Sequence, residues 1–268
     1  MPNSPEDPNR LYQLLADYAL QKLDRPVPSS HMTLFKPNSE SLNYYQSLYV
    51  DQLHKPQNTP VKKRPADKTC QYCEKFHLSS LKNIEKTADI NLGNKLEKCF
   101  QSFINQYLKK FSPGRTCVRA DLENLHMPDF KILDAQGSER YFFEFKVIFR
   151  PFLKIAEKVN PDYECYSHSL TLDVSNGKKL SNQRELVNAI GVDKTAYVYW
   201  YDLPCVKGIF WMPAKRVYAL HDEQTKYKRK VVKGDLDNQG QIIAAVNKIY
   251  LPLLEMKDFV SLLTEFQK

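Results

Sequence analysis

The densest set of reactive side chains lies in HMPDFKILDAQGSERYFFEFKVIFRP, residues 126–151. Within it Tyr141, Phe143, Phe145, Val147 and Phe149 alternate with a second set that contains Glu144 and Lys146. Side chains alternate between the faces of a strand, so Glu144 and Lys146 share one face, about 7 Å apart, opposite an apolar wall. Asp129 follows Pro128, and AQGS at 135–138 has the composition of a hairpin turn. Closing the chain there brings the start of the Asp129 strand toward the end of the Glu144 strand. Hard oxygens such as those of Asp129 and Glu144 suit Mg²⁺, which keeps several waters for use as nucleophile. Lys146 can orient or deprotonate the attacking water and offset charge that builds on a phosphate. Such a set serves phosphodiester hydrolysis, in a polar cleft. The plainer alternative is a solvent-facing pair on a half-exposed strand, although such a face does not call for Pro-Asp on the meeting strand.

Elements able to position these residues can be read around them. The stretch 89–111 predicts a long amphipathic helix with Leu92, Leu96, Cys99, Phe100, Phe103, Ile104 and Tyr107 as its buried stripe. Ser112, Pro113 and Gly114 stop it. Strands are predicted at 116–122, 129–133 and 141–149. A helix follows from Ser181, its cap, to about 188, then strands over 195–203 and 208–220, and helices over 239–250 and 254–266. Residues 1–88 differ in character, with prolines at 2, 5, 8, 26, 28, 37, 56, 60 and 65. Helices are predicted there over 11–23, on an apolar stripe of Leu11, Leu14, Leu15, Tyr18 and Ala19, and over about 41–53. The organisation expected is a helical and irregular N-terminal extension, 1–88, followed by an α/β domain, 89–268.

Pro128-Asp129 followed by Glu144-Phe145-Lys146 resembles the PD-(D/E)xK nuclease superfamily, which includes the type II restriction endonucleases. Further details agree. Gly93 to Glu97 forms a G-x-x-x-E arrangement on the helix before the strands, similar to the acidic residue that many members carry there. Gln183, in Asn182-Gln183-Arg184, stands where some members carry a Gln or a basic residue. The α–β–β–β–α–β succession over 89–203 is that fold's common core. The resemblance implies a restriction-endonuclease-like α/β core, a mixed central sheet flanked by helices. It also implies catalysis by Asp129, Glu144 and Lys146, with Glu97 on the same or a second Mg²⁺ and Gln183 positioning water. A plain surface role for Glu97, and capping or solvent contact for Gln183, remain alternatives.

A second constellation is TCQYCEKFH, where Cys70, Cys73 and His77 have the spacing of a structural Zn²⁺ knuckle. His54, Asp67 and Cys99 are candidates for the fourth ligand, and free thiols in a loop are the alternative. Basic residues gather at Lys55, Lys62, Lys63, Arg64 and Lys68, and again at Lys226, Lys228, Arg229, Lys230 and Lys233. Lys62, Lys63, Arg64, Lys226, Lys228 and Arg229 are the candidate phosphate contacts; a solvated face is the alternative. The polar stretch 163–179, after the catalytic strand, is a candidate recognition loop, or a plain surface insertion.

The 268 residues are 42% hydrophobic and 26% charged, which excludes wholesale disorder, and no run of apolar residues approaches membrane-spanning length. The first residues, MPNSPEDPNR, lack the features of a secretory signal, and six scattered cysteines form no disulfide framework, so a reducing, cytoplasmic setting is expected. Thirty-nine Lys and Arg against 31 Asp and Glu leave a net charge of +8, which favours a polyanionic partner. Together these features point to a metal-dependent endonuclease of the sequence-specific restriction type, acting on double-stranded DNA; a homodimer is what the resemblance implies, since restriction-like enzymes that cut both strands commonly act as dimers. The alternatives are a structure-selective repair, recombination or antiviral nuclease, and a nucleic-acid-binding protein with an inactive nuclease core. Against the last, no member of the Asp129, Glu144, Lys146 trio is replaced.

Overall fold

The computed structural model describes residues 7–23, 86–121, 123–124, 126–148, 172–173, 179–202, 207–223, 248–249, 251 and 255–268. Along them run α1 (Pro8–Lys22), α2 (Lys86–Phe111), β1 (Thr116–Arg119), β2 (Phe130–Leu133), β3 (Glu139–Ile148) and β4 (Leu172–Asp173). Next come α3 (Lys179–Ile190), a 3-10 turn (Val192–Lys194), β5 (Thr195–Asp202), β6 (Lys207–Pro213), α4 (Ala214–Glu223), β7 (Lys248–Ile249) and α5 (Phe259–Phe266). Five strands form a mixed sheet in the order β1-β2-β3-β5-β6, and β4 pairs with β7 apart from it. The β1–β2–β3 meander is antiparallel, β5 joins β3 in parallel, and β6 returns antiparallel to β5. The chain is therefore α/β, with a mixed sheet flanked by helices.

Local chemistry accounts for the meander. Gly114 at φ +94° lets the chain leave α2 and enter β1. Between β2 and β3 the Asp134 carboxylate accepts from the backbone N–H of Gln136 (3.0 Å) and Ser138 (2.8 Å), and Gly137 takes the left-handed conformation at φ +79°. β1 is shorter than its apolar run because Asp121 bends the chain, accepting from the N–H of Glu123 (2.8 Å) and Asn124 (3.3 Å).

Strand alternation divides the interior into two cores. On one side Phe130, Phe143, Phe145, Val198 and Trp200 lie under α1, α2 and α5. Phe100 of α2 stacks on Phe145 with ring centroids 4.3 Å apart, and Phe266 of α5 stacks on Phe143 at 5.1 Å. On the other side Tyr197, Tyr199, Tyr201, Phe210 and Met212 pack with Val187 of α3 and Val217 and Tyr218 of α4. Both faces of β3 are thus covered over its middle.

Several expectations are corrected. The inward stripe of α1 is Leu11, Tyr12, Leu15, Ala16 and Ala19; Leu14 is 47% exposed, because the helix is turned by about one residue toward Tyr12. Tyr12 explains that turn, since its hydroxyl accepts from the Trp200 indole N–H at 3.4 Å and the rings meet edge to face. The strand expected over 208–220 ends at Pro213, and 214–223 is helical, burying Ala214, Val217, Tyr218 and Leu220 on one side. Helix α3 begins at Lys179, so Ser181 lies inside its first turn and is not its cap; Lys and Leu are good helix formers that carry the start back. In the tail, Lys248–Ile249 is strand, paired with β4, and the last helix spans Phe259–Phe266; residues 239–247 lie outside the described residues. Lys257 instead pairs with Trp211 through two backbone hydrogen bonds (3.0 and 2.8 Å), and Asp258 then caps α5 by accepting from the Ser261 N–H at 2.7 Å. The stretch 163–179 is not all loop, since β4 lies within it and Lys179 opens α3. The helix expected over 41–53 lies outside the described residues.

The first helix therefore shares a core with α2, β6 and α5, although it belongs to the stretch 1–88. Leu15→Ala should accordingly destabilise the whole chain by about 2–5 kcal/mol, the usual cost of a buried Leu truncation. Urea unfolding followed at the tryptophans measures it, and an unchanged midpoint would show α1 to be an appendage to the sheet.

Candidate active site

The β2–β3 register pairs Phe130 with Phe143 and Lys131 with Phe142. Continued by one step it sets Asp129 opposite Glu144, the convergence expected of the hairpin. The Asp129 carboxylate reaches over to β3, where its Oδ2 accepts from the Phe145 backbone N–H at 2.8 Å. Its own carbonyl accepts from the Ala120 N–H at 3.1 Å, which prolongs the β1–β2 ladder to the end of the strand. Asp129 is thereby fixed between two neighbouring strands.

Glu144 is 6% exposed, in the middle of the central strand, so it is a buried group and does not line an open cleft. The cost of removing a carboxylate from water is offset by hydrogen bonds. Gln183 of α3, equally buried, donates from Nε2 to Glu144 Oε2 at 3.0 Å. The Gln183 Oε1 accepts from the Tyr197 hydroxyl at 2.7 Å. That hydroxyl has spent its one hydrogen, so the Tyr218 hydroxyl, 3.2 Å away, donates to it. The relay Tyr218–Tyr197–Gln183–Glu144 points all its donors one way, which matches an ionised carboxylate, a group that only accepts. Burial holds both phenols well above their ordinary range, Tyr218 pushed up to about 12, so they remain donors at neutral pH.

Lys146 follows on the same face as Glu144 and is half-buried, with Tyr199 its register partner on β5. Tyr199 is fully buried, and its hydroxyl has no hydrogen-bond partner among the described residues. Burial holds its phenol well above the ordinary tyrosine range, and the neighbouring Tyr201, Glu144 and Asp129 add to the rise.

Glu97 and Arg119 complete the set from the opposite side of the sheet edge. Arg119, the last residue of β1, lies over the Phe130 ring at 4.4 Å and ion-pairs with Glu97 of α2 and, at 3.4 Å, with Asp129 Oδ1. Burial raises the Glu97 carboxyl above its ordinary value, the Asp129 charge raises it further, and Arg119 opposes both. Gly93, the glycine of G-x-x-x-E, has open space where a Cβ would stand, so no close approach requires it.

The loop before Asp129 is tied to α3. The Asn182 amide donates to His126 Nε2 at 3.2 Å, which leaves the proton on His126 Nδ1, a buried atom without a partner among the described residues. One helix therefore holds both carboxylate-bearing segments, through Asn182 and Gln183.

Comparison with protein-family models, with curated proteins and with solved structures finds no match. The site is described by its own geometry. That geometry brings Asp129, Glu144, Lys146, Glu97 and Gln183 into one neighbourhood. Sequence reasoning missed Arg119, Asn182, His126 and the tyrosines of β5. The alternation in TAYVYWYDL, residues 195–203, carried the signal for the last of these, since it sets Tyr197, Tyr199 and Tyr201 on a single face.

No group of three or more His, Cys, Asp or Glu suited to a metal is found among the described residues. Two carboxylates on neighbouring strands still fit Mg²⁺, which is bound through one or two carboxylates plus substrate phosphates and water. Asp129 and Glu144 are the residues that can hold it. Cys70, Cys73 and His77, with His54 and Asp67, lie outside the described residues, as do Lys62, Lys63, Arg64, Lys226, Lys228 and Arg229. Cys99 is buried in the apolar core under α2, and burial raises its thiol, which disfavours the thiolate that zinc needs.

The two tyrosines give a contrast within one strand. Tyr197→Phe removes the donor to Gln183 and should cost about 1–2 kcal/mol. Tyr199→Phe removes a hydroxyl with no partner among the described residues and should leave stability unchanged or raise it by up to about 1 kcal/mol. Chemical denaturation of both variants decides it; equal losses would mean that Tyr199 has a partner.

Proposed function

We propose that the chain is a metal-dependent endonuclease that hydrolyses phosphodiester bonds of double-stranded DNA, with a PD-(D/E)xK-like core of the sequence-specific restriction type. The observation that carries this reading is the juxtaposition of Asp129 and Glu144 across the β2–β3 ladder, with Lys146 next on the same face. The net charge of +8 supports a polyanionic substrate. A buried carboxylate supplied with its own donor relay also argues for a working group, since a merely structural strand position is filled more cheaply by an apolar residue.

A bound Mg²⁺ would supply a water ionised near neutral pH and screen the charge that develops on the phosphate. Asp129 and Glu144 are the residues that would hold that cation. Gln183 keeps the Glu144 carboxylate in one orientation, and Arg119 does the same for Asp129. The Lys146 ammonium, next on the same face as Glu144, would orient the attacking water and offset the negative charge of a phosphate bound there. Cutting both strands of a duplex with one such site per chain calls for two copies, so we take the acting species to be a homodimer. A zinc knuckle at Cys70, Cys73 and His77 belongs to this reading as a structural adjunct.

Asp129→Asn and Glu144→Gln should abolish cleavage of plasmid DNA in Mg²⁺, as EDTA should in the wild type. Lys146→Ala should keep DNA binding and lower turnover by about a hundredfold or more. Discrete bands from a defined duplex identify site-specific cutting, and smears identify a loose or structure-selective nuclease. Binding without cleavage in any divalent cation would replace the enzyme by a nucleic-acid-binding protein.

The basic runs make a separate prediction. If Lys62, Lys63, Arg64, Lys226, Lys228 and Arg229 contact phosphates, neutralising them should flatten log K against log[salt] by about 0.9 per lost contact. The preferred site should not change, because phosphate contacts position without reading bases. An unchanged slope, or a changed site preference, counts against the assignment.

A further inference from the structure

We infer that Arg119 occupies the seat a second divalent cation would need, so that the site takes a single cation, at Asp129 and Glu144; the inference rests on the metal-dependent reading above. Glu97 and Asp129 come from α2 and from the start of β2, and the Arg119 guanidinium ion-pairs with both of them. Two carboxylates brought this close need a positive charge between them. In two-metal sites that charge is a second ion, about 3.5–4 Å from the first. Here it is a side chain.

The guanidinium is firmly seated. It lies over the Phe130 ring at 4.4 Å, and Phe130 is the register partner of Arg119 across β1–β2, so strand pairing itself presents the ring to the cation. A divalent ion entering between Glu97 and Asp129 would meet the guanidinium charge on the same oxygens. The other Asp129 oxygen, Oδ2, accepts the Phe145 N–H on the β3 side, next to Glu144, and these two carboxylates are the groups a shared cation would take. Glu97 thus acts through Arg119, as a positioning residue.

The arrangement makes a prediction about ion counts that needs no DNA and no turnover. Manganese titrated into the full chain, and counted by calorimetry or by its paramagnetic resonance, should give about one ion per chain that Asp129→Asn abolishes. Arg119→Met keeps the stem over Phe130 and removes the charge, so it should raise the count to about two, and adding Glu97→Gln should return it to about one. Glu97→Gln alone, which still accepts from Arg119, should leave the count unchanged and the manganese affinity within about threefold of wild type. A wild type that binds about two such ions, an Arg119→Met chain that stays at one, or a tenfold weakening in Glu97→Gln, each overturns the inference while leaving the metal-dependent reading standing. Should Arg119→Met fail to fold, the Glu97→Gln affinity decides. A wild type with no ion sensitive to Asp129→Asn defeats the metal-dependent reading itself, and the inference with it.

Discussion

A carboxylate in the middle of a central strand, with both faces of that strand covered, must be given hydrogen-bond donors by the elements packed on it. Glu144 is in that position, and much of the surrounding structure can be understood as its supply. Gln183 must reach it from α3, which fixes the rotation of that helix over the sheet. Tyr197 must then face the same side to satisfy Gln183, which fixes the register of β5 beside β3. Tyr218 completes the series from α4 and ties the last crossing helix to the same point. An apolar residue at 144 would release all of these requirements. Their coexistence is the strongest physical reason to regard that carboxylate as kept for chemistry.

The two sides of the sheet are built on different principles as a result. The side beneath α1, α2 and α5 is aromatic and aliphatic, held by stacked rings and by edge-to-face pairs such as Tyr12 with Trp200. The side beneath α3 and α4 mixes apolar packing with a directional polar network. Arg119 stands at the edge where the two meet, with its ring contact on the first side and one of its carboxylate partners, Asp129, at the end of the strand leading to the second.

What could be read from the sequence was local in character. The alternation in β3, the stop at 112–114 and the turn at 135–138 each depend on a few neighbouring residues, and all reappear. The pairing of Asp129 with Glu144 needed only hairpin arithmetic. Arg119 could not be found that way, because its bond to Glu97 depends on how α2 is rotated above β1, a tertiary quantity. The same limit explains α4. Val217, Tyr218 and Leu220 suit a strand as well as a helix, and their burial against the tyrosine face of β5 is a tertiary contact that local pattern does not report. The tail misled for a related reason, since the bridge between Lys257 and Trp211, with the Lys257 ammonium over the Trp211 ring, joins residues far apart in the chain.

The aromatic wall of β3 is closed by the α5 residues Phe259, Leu262, Leu263 and Phe266, with α1 and α2 beside them. During synthesis the strands emerge from the ribosome well before residues 259–266 do. Until those eight residues are available, Phe143 and Tyr141 lack the Phe266 ring that covers them in the finished protein. The nascent chain must therefore carry a half-covered sheet from the synthesis of β3 until residues 259–266 follow, at the stage when such surfaces recruit chaperones or misassemble. Loss of residues 259–266 would leave the carboxylates intact and still yield a protein prone to aggregate.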